Sequence, residues 1–397
     1  MKHAFYFRFY KIFHSEPICN VLAIMAYMLY CILFLIKKLT RKKEIVTMTV
    51  DEAEKLINSV YPKPHSSPKY INPTIRNDLD LSIVVPVYNY AGIIEDTILA
   101  ILNQKTSYKF EVILVDDGST DGAREILKEF ESYPNVQIIY QENGGIGAAR
   151  NTGINHASGR YLMFVDCDDI VHDDIVETLM NRAYKDNLDM VIAAHNLVKE
   201  KNGEAYSITP NVYPQKNLVG YKNGDAIMNY PGLPWAKVYR RELWNGVRFF
   251  PGYWYEDTII QFLIFTQVKS YAYIPKIVYE YKWYEKNFSH TQNKSKNFKC
   301  MDSYYLLLEI INQYRNLDLP LDGKFYTLLL QHISTYYYPF ISKLNVKHIE
   351  ALFILACHLE RENSVSKIKR LPFVINQAKK SFNNCDISLW KIASTFQ

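Results

Sequence analysis

The sequence predicts an α/β fold with a Rossmann-like, mostly parallel central sheet covered by helices on both faces, an N-terminal transmembrane helix and a helical C-terminal region. Three observations support this prediction. Short apolar runs alternate with helical spacings from residue 81 onward, which is the pattern of βα units. An apolar run near the N-terminus is long enough to cross a bilayer. Helical spacing returns between residues 297 and 362 and again in a basic, amphipathic segment from Lys367.

The predicted elements follow one another closely. Strands are expected at 81–87, 111–115, 136–140, 161–165 and 188–194, and helices at 92–104, 121–132, 147–156 and 172–186. The periodic pattern then weakens, and the sequence is rich in turns and aromatic residues to about residue 290. We therefore expect four segments: a membrane anchor over 1–45, a Pro- and Ser-rich linker over 46–80, an α/β domain over 81–290 and a helical region over 291–397.

The N-terminal segment carries the membrane prediction. Residues 17–36 are apolar with one Asn and no charge, and at 1.5 Å per residue they reach about 30 Å. The run is longer than the apolar core of a signal peptide and no small-residue cleavage site follows it, which favours a membrane span. Basic residues then favour a single-pass protein of the cell membrane with a cytoplasmic C-terminal side; they are Lys37, Lys38, Arg41, Lys42 and Lys43.

Charge and cysteine usage narrow the class of protein further. Eight of the 46 basic residues but one of the 41 acidic residues lie before residue 44. The basic excess therefore belongs to the membrane-proximal segment, which argues against nucleic acid as a partner. The six cysteines form no CxxC pair or Cys/His cluster, so we expect reduced thiols and no zinc site.

A cluster of carboxylates follows the strand predicted at 161–165. Asp166, Asp168 and Asp169 lie within four residues at its C-terminal end, where open α/β sheets bind ligands. Crowded carboxylates raise one another's pKa unless a cation or hydrogen-bond donors neutralise them. The cluster therefore indicates Mg²⁺ or Mn²⁺ shared with the phosphates of a nucleotide diphosphate, against the alternative of a solvated acidic turn.

Two other predicted strands end in polar residues at the same edge. Pro86, Tyr88 and Asn89 close the first strand, and Asp116 closes the second. Tyr88 could stack on a base, and the Asp116 carboxylate could accept the ring N–H of uracil. Alone, the turn after Asp116 is more often a plain strand-turn-helix connection, but its alignment with the acidic cluster favours a nucleotide pocket.

A glycine-rich turn offers a competing interpretation. Gly145 and Gly147 open a helix after a strand, and Asp166 follows about 20 residues later, as in a dinucleotide-binding fingerprint. Arg150, however, occupies the third small position, where helix and strand should pack closely. Arg150 is better explained as a donor to a nucleotide or to Asp166, with a structural salt bridge as the alternative.

Acidic and aromatic residues beyond the predicted strands complete the candidate site. Glu256 and Asp257 precede an apolar helical run, where they either cap the helix or, facing the cleft, supply a general base. Trp235, Lys237 and Trp254 are candidate contacts for the sugar or the acceptor, because sugars present apolar C–H faces to aromatic rings. A buried core tryptophan is an equally open alternative for Trp235.

Six segments, taken together, resemble the bacterial family-2 glycosyltransferases with the GT-A fold, which build capsules, exopolysaccharides and wall glycans. The segments are VPVYN, DDGSTD, ENGGIGAARN, DCDD, PWAKVYRREL and WYEDT, and the resemblance covers about residues 80–290. It implies an enzyme that transfers a sugar from a UDP-sugar to a glycan acceptor with inversion at the anomeric carbon. It also implies Mn²⁺ or Mg²⁺ as the cofactor.

The resemblance implies a role for each matching residue. The nucleoside pocket would be lined by Pro86, Tyr88, Asn89 and Asp116, with Asn143 and Arg150 beside it. Asp166 would contact the ribose or the metal, Asp168 would hold the metal, and Asp257 would be the general base with Glu256 as its neighbour.

One stretch departs from the family pattern. Relatives often carry an Arg-rich Y-x-Y-R-x-R segment that holds the diphosphate, whereas this chain has Lys282 and Tyr284 at the two arginine positions. Lys282 supplies a point charge in place of a bidentate fork, so it is retained only as a candidate diphosphate contact. His290, a little further on, is a candidate additional metal ligand.

The resulting hypothesis is a membrane-anchored, cytosol-facing inverting glycosyltransferase acting on a lipid-linked surface glycan. Two alternatives stay open from the sequence. One is an NAD-dependent oxidoreductase that uses Gly145 and Gly147. The other is a non-catalytic glycan-binding protein of the same fold.

Overall fold

The computed structural model describes residues 16–201, 204–212, 219–221, 227–284, 297–366 and 371–396. Contacts divide the chain into two units. The larger comprises Pro64–Lys294 and Glu309–Leu317, and the smaller comprises Met1–Lys63, Ser295–Leu308 and Asp318–Gln397. The smaller unit thus groups the N-terminal helices with the C-terminal ones, which the sequence did not predict.

The larger unit is built on one mixed sheet. Its strands are β1 (Leu81–Val87), β2 (Phe110–Asp116), β3 (Val136–Tyr140), β4 (Tyr161–Phe164), β5 (Ile170–Val171), β6 (Met190–Lys201), β7 (Glu204–Asn211), β8 (Val219–Tyr221), β9 (Lys237–Arg240) and β10 (Ser270–Trp283). Their order is β3-β2-β1-β4-β9-β6-β10-β5, with β7 beside β6 and β8 beside β10. The pairs among β1–β4 and the β6–β10 pair are parallel, whereas β9 runs antiparallel to both of its neighbours.

Twelve α-helices occur in the described residues. They are α1 (Glu16–Thr40), α2 (Val50–Val60), α3 (Ile94–Leu102), α4 (Ala123–Lys128), α5 (Ile146–His156), α6 (Ile175–Lys185), α7 (Asp302–Asn316), α8 (Gly323–Gln331), α9 (Tyr337–Ile341), α10 (Val346–Glu362), α11 (Phe373–Asn383) and α12 (Ile387–Thr395). Short helical turns also occur, among them the π-helical segment Ile260–Ile264.

The central strand explains why helices cover both faces of the sheet. Every residue of β1 is buried, as expected for an apolar strand flanked by two parallel neighbours. Ile83 and Val85 join the core that contains α3, α4 and α6. On the opposite face α5 packs so closely that a Cβ on Gly153 would lie 2.2 Å from Val84 Cγ1. The predicted α/β fold is confirmed, with β1–β4, β6 and β10 parallel and with β5, β7, β8 and β9 antiparallel to their neighbours.

The long strand β10 is the main element that the sequence pattern missed. Pro275 interrupts it and is normally found at strand edges or bulges. In the structure the register with β6 shifts between Ile274 and Ile277, so a bulge accommodates the proline without ending the strand. The carboxyl end of β10 therefore reaches the same edge of the sheet as the ends of β1, β2 and β4.

The smaller unit is helical in its described part, as predicted for the C-terminal region. A capping box begins α2, where Thr49 accepts the N–H of Glu52 and the Glu52 side chain accepts the Thr49 N–H. Ile45 and Asp386 form an isolated antiparallel bridge that joins the segment after α1 to the turn before α12. Within α1, Ile18–Thr40 is long and apolar enough to cross a membrane, with a mean hydropathy of 2.3.

Candidate active site

Three parallel strands deliver their C-terminal loops to one edge of the sheet. Val87 pairs with Asp116 at the ends of β1 and β2, and β4 runs beside β1. The predicted nucleotide-binding residues and the acidic cluster therefore share this edge, as the βα alternation predicted.

The first two loops hold each other through side-chain to backbone hydrogen bonds. Asn89 adopts a left-handed conformation (φ 59°). Its side-chain Oδ1 accepts the Thr120 N–H at 2.7 Å, and its backbone N–H donates to Ser119 Oγ at 3.0 Å. Tyr88, beside it, is 47% exposed, so its ring is open to a stacking partner. This conformation suits Asn, which tolerates positive φ better than most residues.

Pro86 and Asp116 lie beneath these loops. Pro86 is buried within β1, and the Asp116 carboxylate is fully buried, accepting the Ser119 N–H at 3.1 Å and pairing with Arg124. Both carboxylate oxygens of Asp116 thus have partners within the protein. Contact of Asp116 with a nucleobase stays a prediction that requires Arg124, which is 41% exposed, to move.

Asp117 fixes the glycine-rich loop, a role that the sequence did not reveal. Its carboxylate accepts the N–H groups of Gly144 at 2.9 Å and Gly145 at 2.8 Å, and the Gln141 amide at 2.6 Å. Asn143 donates its side-chain amide to the Asp117 carbonyl at 2.9 Å. Burial raises the pKa of Asp117, and the hydrogen bonds only partly oppose it.

This arrangement disfavours the dinucleotide interpretation. In a dinucleotide fingerprint, the backbone N–H groups of the glycine-rich turn receive the pyrophosphate. Here the N–H groups of Gly144 and Gly145 already donate to Asp117. A second anion at this turn would meet the carboxylate. Gly145 instead provides the positive φ of 83° that the turn adopts, and Gly147 allows close packing, since a Cβ there would lie 3.3 Å from Phe249 Cβ.

Arg150 joins two parts of the candidate site. Its guanidinium donates to Asp166 Oδ1 at 2.8 Å and to Glu256 Oε1 at 2.6 Å, while the Arg150 side chain is 3% exposed. The guanidinium also lies 5.3 Å from the centre of the Phe249 ring. Burial alone would lower the pKa of Arg150, but Asp166 and Glu256 outweigh it and raise that pKa. The acidic cluster and the loop of Glu256 are therefore bridged by one permanent positive charge.

Two tyrosines that are far apart in sequence donate hydrogen bonds to Asp168. Tyr90 and Tyr284 donate their hydroxyls to Asp168 Oδ2 at 3.1 and 2.8 Å, and the two hydroxyls lie 3.0 Å apart. Burial, followed by repulsion from Asp166, raises the pKa of Asp168. Tyr284 stands where relatives often carry arginine, and the only signal in the sequence was that departure.

Asp169, adjacent to Asp168, belongs to the scaffold. It is 2% exposed, accepts the Tyr279 hydroxyl at 2.7 Å and accepts the Lys282 N–H at 2.9 Å. Burial raises the pKa of Asp169 well above its usual value. The same Tyr279 oxygen accepts the Asp166 N–H at 3.2 Å, so β10 fixes the acidic loop in place.

Lys282, the candidate diphosphate contact, uses its ammonium in an ion pair. Its Nζ lies 3.7 Å from Glu200 Oε1 across the β6–β10 pair. Contact with a diphosphate stays a prediction. His290, the candidate additional metal ligand, lies outside the described residues.

The carboxylate pair Asp166 and Asp168 fits a divalent cation. Repulsion between the two raises the pKa of Asp168, and a cation would relieve that repulsion. Among the described residues no group of three His, Cys, Asp or Glu side chains is arranged to hold a metal ion alone. The protein would thus supply one or two carboxylates and leave other positions to phosphate oxygens, which is the usual arrangement for Mg²⁺.

Asp257 has the titration behaviour of a general base. Asp257 lies two residues after Tyr255, which has a positive φ of 62°, and three residues before the π-helical segment Ile260–Ile264. Burial, then repulsion from Glu256, raises the pKa of Asp257 to about 7, while Arg150 opposes that rise. A carboxylate that titrates near neutrality can accept a proton efficiently at physiological pH.

The structure corrects the prediction for Trp235 and Lys237 as sugar contacts. Trp235 is 2% exposed, and its ring stacks on Tyr279 at 4.8 Å and lies 5.2 Å from Tyr281, so it is a core residue. Lys237 is also 2% exposed and donates to the carbonyls of Leu233 at 2.8 Å and Trp235 at 3.2 Å. Burial lowers the pKa of Lys237 to about 7. Neither side chain presents a surface to a sugar.

Trp254 is the remaining candidate sugar contact, and part of its side chain is exposed to solvent. It is partly exposed, and its ring lies 6.3 Å from that of Tyr255 in an edge-to-face arrangement. Its contact with a sugar or acceptor stays a prediction.

The fold and the carboxylate-lined edge define the class of nucleotide-sugar-dependent glycosyltransferases with the GT-A fold. The family model described as "Glycosyl transferase family 2" matches residues 82–243. Glycosyltransferase GlyG of Streptococcus pneumoniae is 33% identical over 212 residues, which cover 51% of this chain and 70% of GlyG. The chain belongs to glycosyl transferase family 2.

Two further comparisons show how much of each relative this chain matches. Glycosyltransferase GlyA of Streptococcus pneumoniae is 31% identical over 222 residues, covering 52% of this chain but 31% of GlyA. The crystal structure of S. aureus TarS 1-349 in complex with UDP-GlcNAc superposes with a TM-score of 0.63 at 19% identity, covering 80% of this chain and 91% of that one. The TarS similarity supports the fold.

Proposed function

We propose that the protein is an inverting glycosyltransferase that transfers a sugar from a UDP-sugar to a growing, lipid-linked surface glycan. The observation that carries the proposal is the network around Arg150. It connects Asp166, at the end of β4, with Glu256, whose neighbour Asp257 has a pKa raised to about 7. This network supports the proposal because it connects a candidate donor-binding carboxylate, Asp166, with the neighbour of a candidate base.

The donor would occupy the edge formed by the first three parallel strands. Tyr88 would stack on the uracil ring, with Asn89, Asp116 and Asn143 around the nucleoside. Asp166 would reach the ribose or the metal. TarS binds UDP-GlcNAc on the same fold, which supports a UDP-sugar donor for this chain.

Asp168, with Asp166, would hold the Mn²⁺ or Mg²⁺. Such an ion, when bound, offsets the negative charge that develops on the departing diphosphate. The chain's own contribution is to hold these carboxylates in place. Tyr90 and Tyr284 orient Asp168, and Arg150 orients Asp166.

Asp257 would activate the acceptor. Its ionised carboxylate takes the proton of an acceptor hydroxyl as that oxygen bonds to the anomeric carbon and the bond from that carbon to UDP breaks. A single displacement of this kind inverts the anomeric centre. Burial, followed by repulsion from Glu256, raises the pKa of Asp257 for this task, and Arg150 limits the rise.

The acceptor assignment draws on the apolar helix α1. A catalytic domain anchored by Ile18–Thr40 would work close to the bilayer, where lipid-linked glycans are presented. The basic residues that follow this helix support a cytoplasmic catalytic domain.

A transfer assay tests the proposal. Purified full-length protein in lipid nanodiscs is incubated with UDP-sugars, Mn²⁺ and a lipid-linked acceptor, and UDP release and product anomers are measured by NMR. We expect UDP release that EDTA abolishes and a product anomer opposite to that of the donor. Retention of configuration would contradict the single displacement, and turnover of NAD(H) without UDP release would contradict the transferase.

A further inference from the structure

Most apolar side chains of α1 are exposed within the part of the chain that the structure describes. Ten apolar side chains of α1 are 37–60% exposed: Ile18, Val21, Ile24, Met25, Met28, Leu29, Ile32, Leu33, Leu35 and Ile36. This surface continues around a long helix, so a bilayer is the partner that suits it.

The last turns of α1 differ, because they contact the C-terminal helices of the same unit. The Phe34 side chain is fully buried, with its ring edge-on to Phe373 at 5.2 Å and to Phe396 at 5.3 Å. Tyr30 lies edge-on to Phe396 at 5.1 Å. The start of α11 and the end of α12 therefore lie at the level of residues 30–34.

Polar contacts replace aromatic ones about one turn later. Lys38 Nζ donates to Gln377 Oε1 at 2.8 Å, and Arg41 pairs with Asp386. At a rise of 1.5 Å per residue, these contacts lie roughly 6–16 Å beyond the aromatic ones. The change from aromatic rings to ion pairs follows the change from hydrocarbon to water at a membrane surface.

Basic side chains surround this junction. Lys37, Lys42 and Lys43 are exposed after the apolar run, and Lys380 is exposed on α11 and is a like-charged neighbour of Lys38. The nearby exposed Glu44 is paired with Lys391 at 3.3 Å. The net charge at this level is positive, which complements anionic lipid headgroups.

We propose that the start of α11 and the end of α12 form a membrane-docking surface whose aromatic residues enter the bilayer beside the last turns of α1. The basic residues about one turn further on would then contact anionic lipid headgroups where α1 leaves the bilayer. This inference rests on the proposed membrane attachment through α1. Its specific content is that residues of the C-terminal helices, more than 330 positions from α1 in sequence, lie at the bilayer interface. The surface would fix the height and orientation of the smaller unit on the membrane.

Depth measurement on the full-length chain tests the docking surface. A nitroxide is attached to Thr395→Cys, an exposed site at the end of α12, or to Asn383→Cys, an exposed site at the far end of α11. Native cysteines are replaced by serine or alanine. The protein is placed in nanodiscs with or without phosphatidylglycerol, and accessibility to oxygen and to a water-soluble nickel chelate is compared.

We expect the label at 395 to be several-fold more accessible to oxygen than to nickel in anionic nanodiscs, with the opposite preference at 383. Lys380→Gln should reduce that protection, whereas Lys343→Gln, exposed elsewhere on the same unit, should leave it unchanged. Equal exposure of both labels to nickel would overturn the docking surface.

A second readout separates this inference from the function it rests on. Extraction with alkaline carbonate tests the span itself, and UDP binding tests the transferase. A carbonate-resistant chain that binds UDP but leaves residue 395 in water contradicts only the docking surface. A chain released by carbonate contradicts the anchor as well, and absence of UDP binding contradicts the transferase.

Discussion

Two pairs of carboxylates at the same sheet edge have opposite surroundings. Asp117 and Asp169 are each 2% exposed and receive backbone N–H groups as donors. Asp166 and Asp168 are partly exposed, and their side chains are held by Arg150 and by two tyrosine hydroxyls. Asp168 and Asp169 are neighbours in sequence, yet Asp168 is partly exposed and Asp169 is buried and bonded to β10.

The hydrogen-bond partners of these carboxylates distinguish structural acidic residues from those that are free to bind a ligand. A carboxylate bonded to backbone N–H groups holds a loop and cannot change partners without unfolding it. A carboxylate bonded to side chains can exchange them for a cation or a sugar hydroxyl. Asp257 resembles the second group in being partly exposed, and its neighbour Glu256 pairs with Arg150.

The largest expected effect comes from Asp257→Asn, which keeps the shape but cannot accept a proton. We expect kcat to fall by about 10²–10⁴, the usual contribution of a general base. Affinity for UDP should stay unchanged, because Asp257 is assigned to the acceptor. Steady-state kinetics with calorimetric UDP titration checks both, and full activity in the variant would remove Asp257 from the chemistry.

The dependence of kcat/KM on pH should report the titration of Asp257. Burial raises the pKa of Asp257 to about 7, and the base works only when ionised. The kcat/KM value should therefore fall about tenfold per pH unit below pH 7 and level off above it. Glu256→Gln removes a repulsive neighbour, so the acidic limb should move to lower pH. An acidic limb that stays in place would show that another group titrates.

Asp117→Asn tests the scaffold side of the comparison. An amide can accept two of the three hydrogen bonds but turns its own N–H₂ toward the third donor. We expect a loss of about 1–3 kcal/mol in the free energy of unfolding, measured by urea denaturation. The control is Asp173→Asn, which breaks only an exposed pair with Lys105 and should cost about 1 kcal/mol or less. An equal loss of unfolding free energy in Asp117→Asn and Asp173→Asn would contradict a structural role for Asp117.

Tyr284→Phe should have the smallest effect. It removes one of the two hydroxyls that orient Asp168, worth about 0.5–1.5 kcal/mol, so Mn²⁺-dependent UDP affinity should weaken by roughly twofold to tenfold. Tyr108→Phe removes a distant hydroxyl that bonds to Asn181 and should leave affinity unchanged. Tighter Mn²⁺ binding in Tyr284→Phe would mean that the hydroxyl competes with the cation.

Much of the parallel half of the domain could be predicted from the sequence, because local signals determine it. Strands β1 and β3 begin and end at the predicted residues, and α5 begins one residue early. Apolar runs bounded by turn residues are read without knowledge of distant neighbours.

The rest depends on contacts that no local pattern encodes. The bulge at Pro275 is stable because β6 lies alongside, and the pairing of Tyr284 with Asp168 spans 116 residues. Trp235 has the composition of a sugar platform, but stacking on Tyr279 makes it a core residue. The grouping of α1 with α11 and α12 likewise arises from packing between the two ends of the chain.

The most direct test of the central claim is calorimetric titration of UDP with and without Mn²⁺ into the full-length protein, Asp168→Asn and Asp173→Asn. We expect UDP binding that requires Mn²⁺ in the natural chain and in Asp173→Asn. Asp168→Asn should lose about 100-fold in affinity or more, because the amide removes the charge that holds the cation. UDP binding that is equal with and without Mn²⁺, or unchanged in Asp168→Asn, would contradict the assignment of this sheet edge as the donor site.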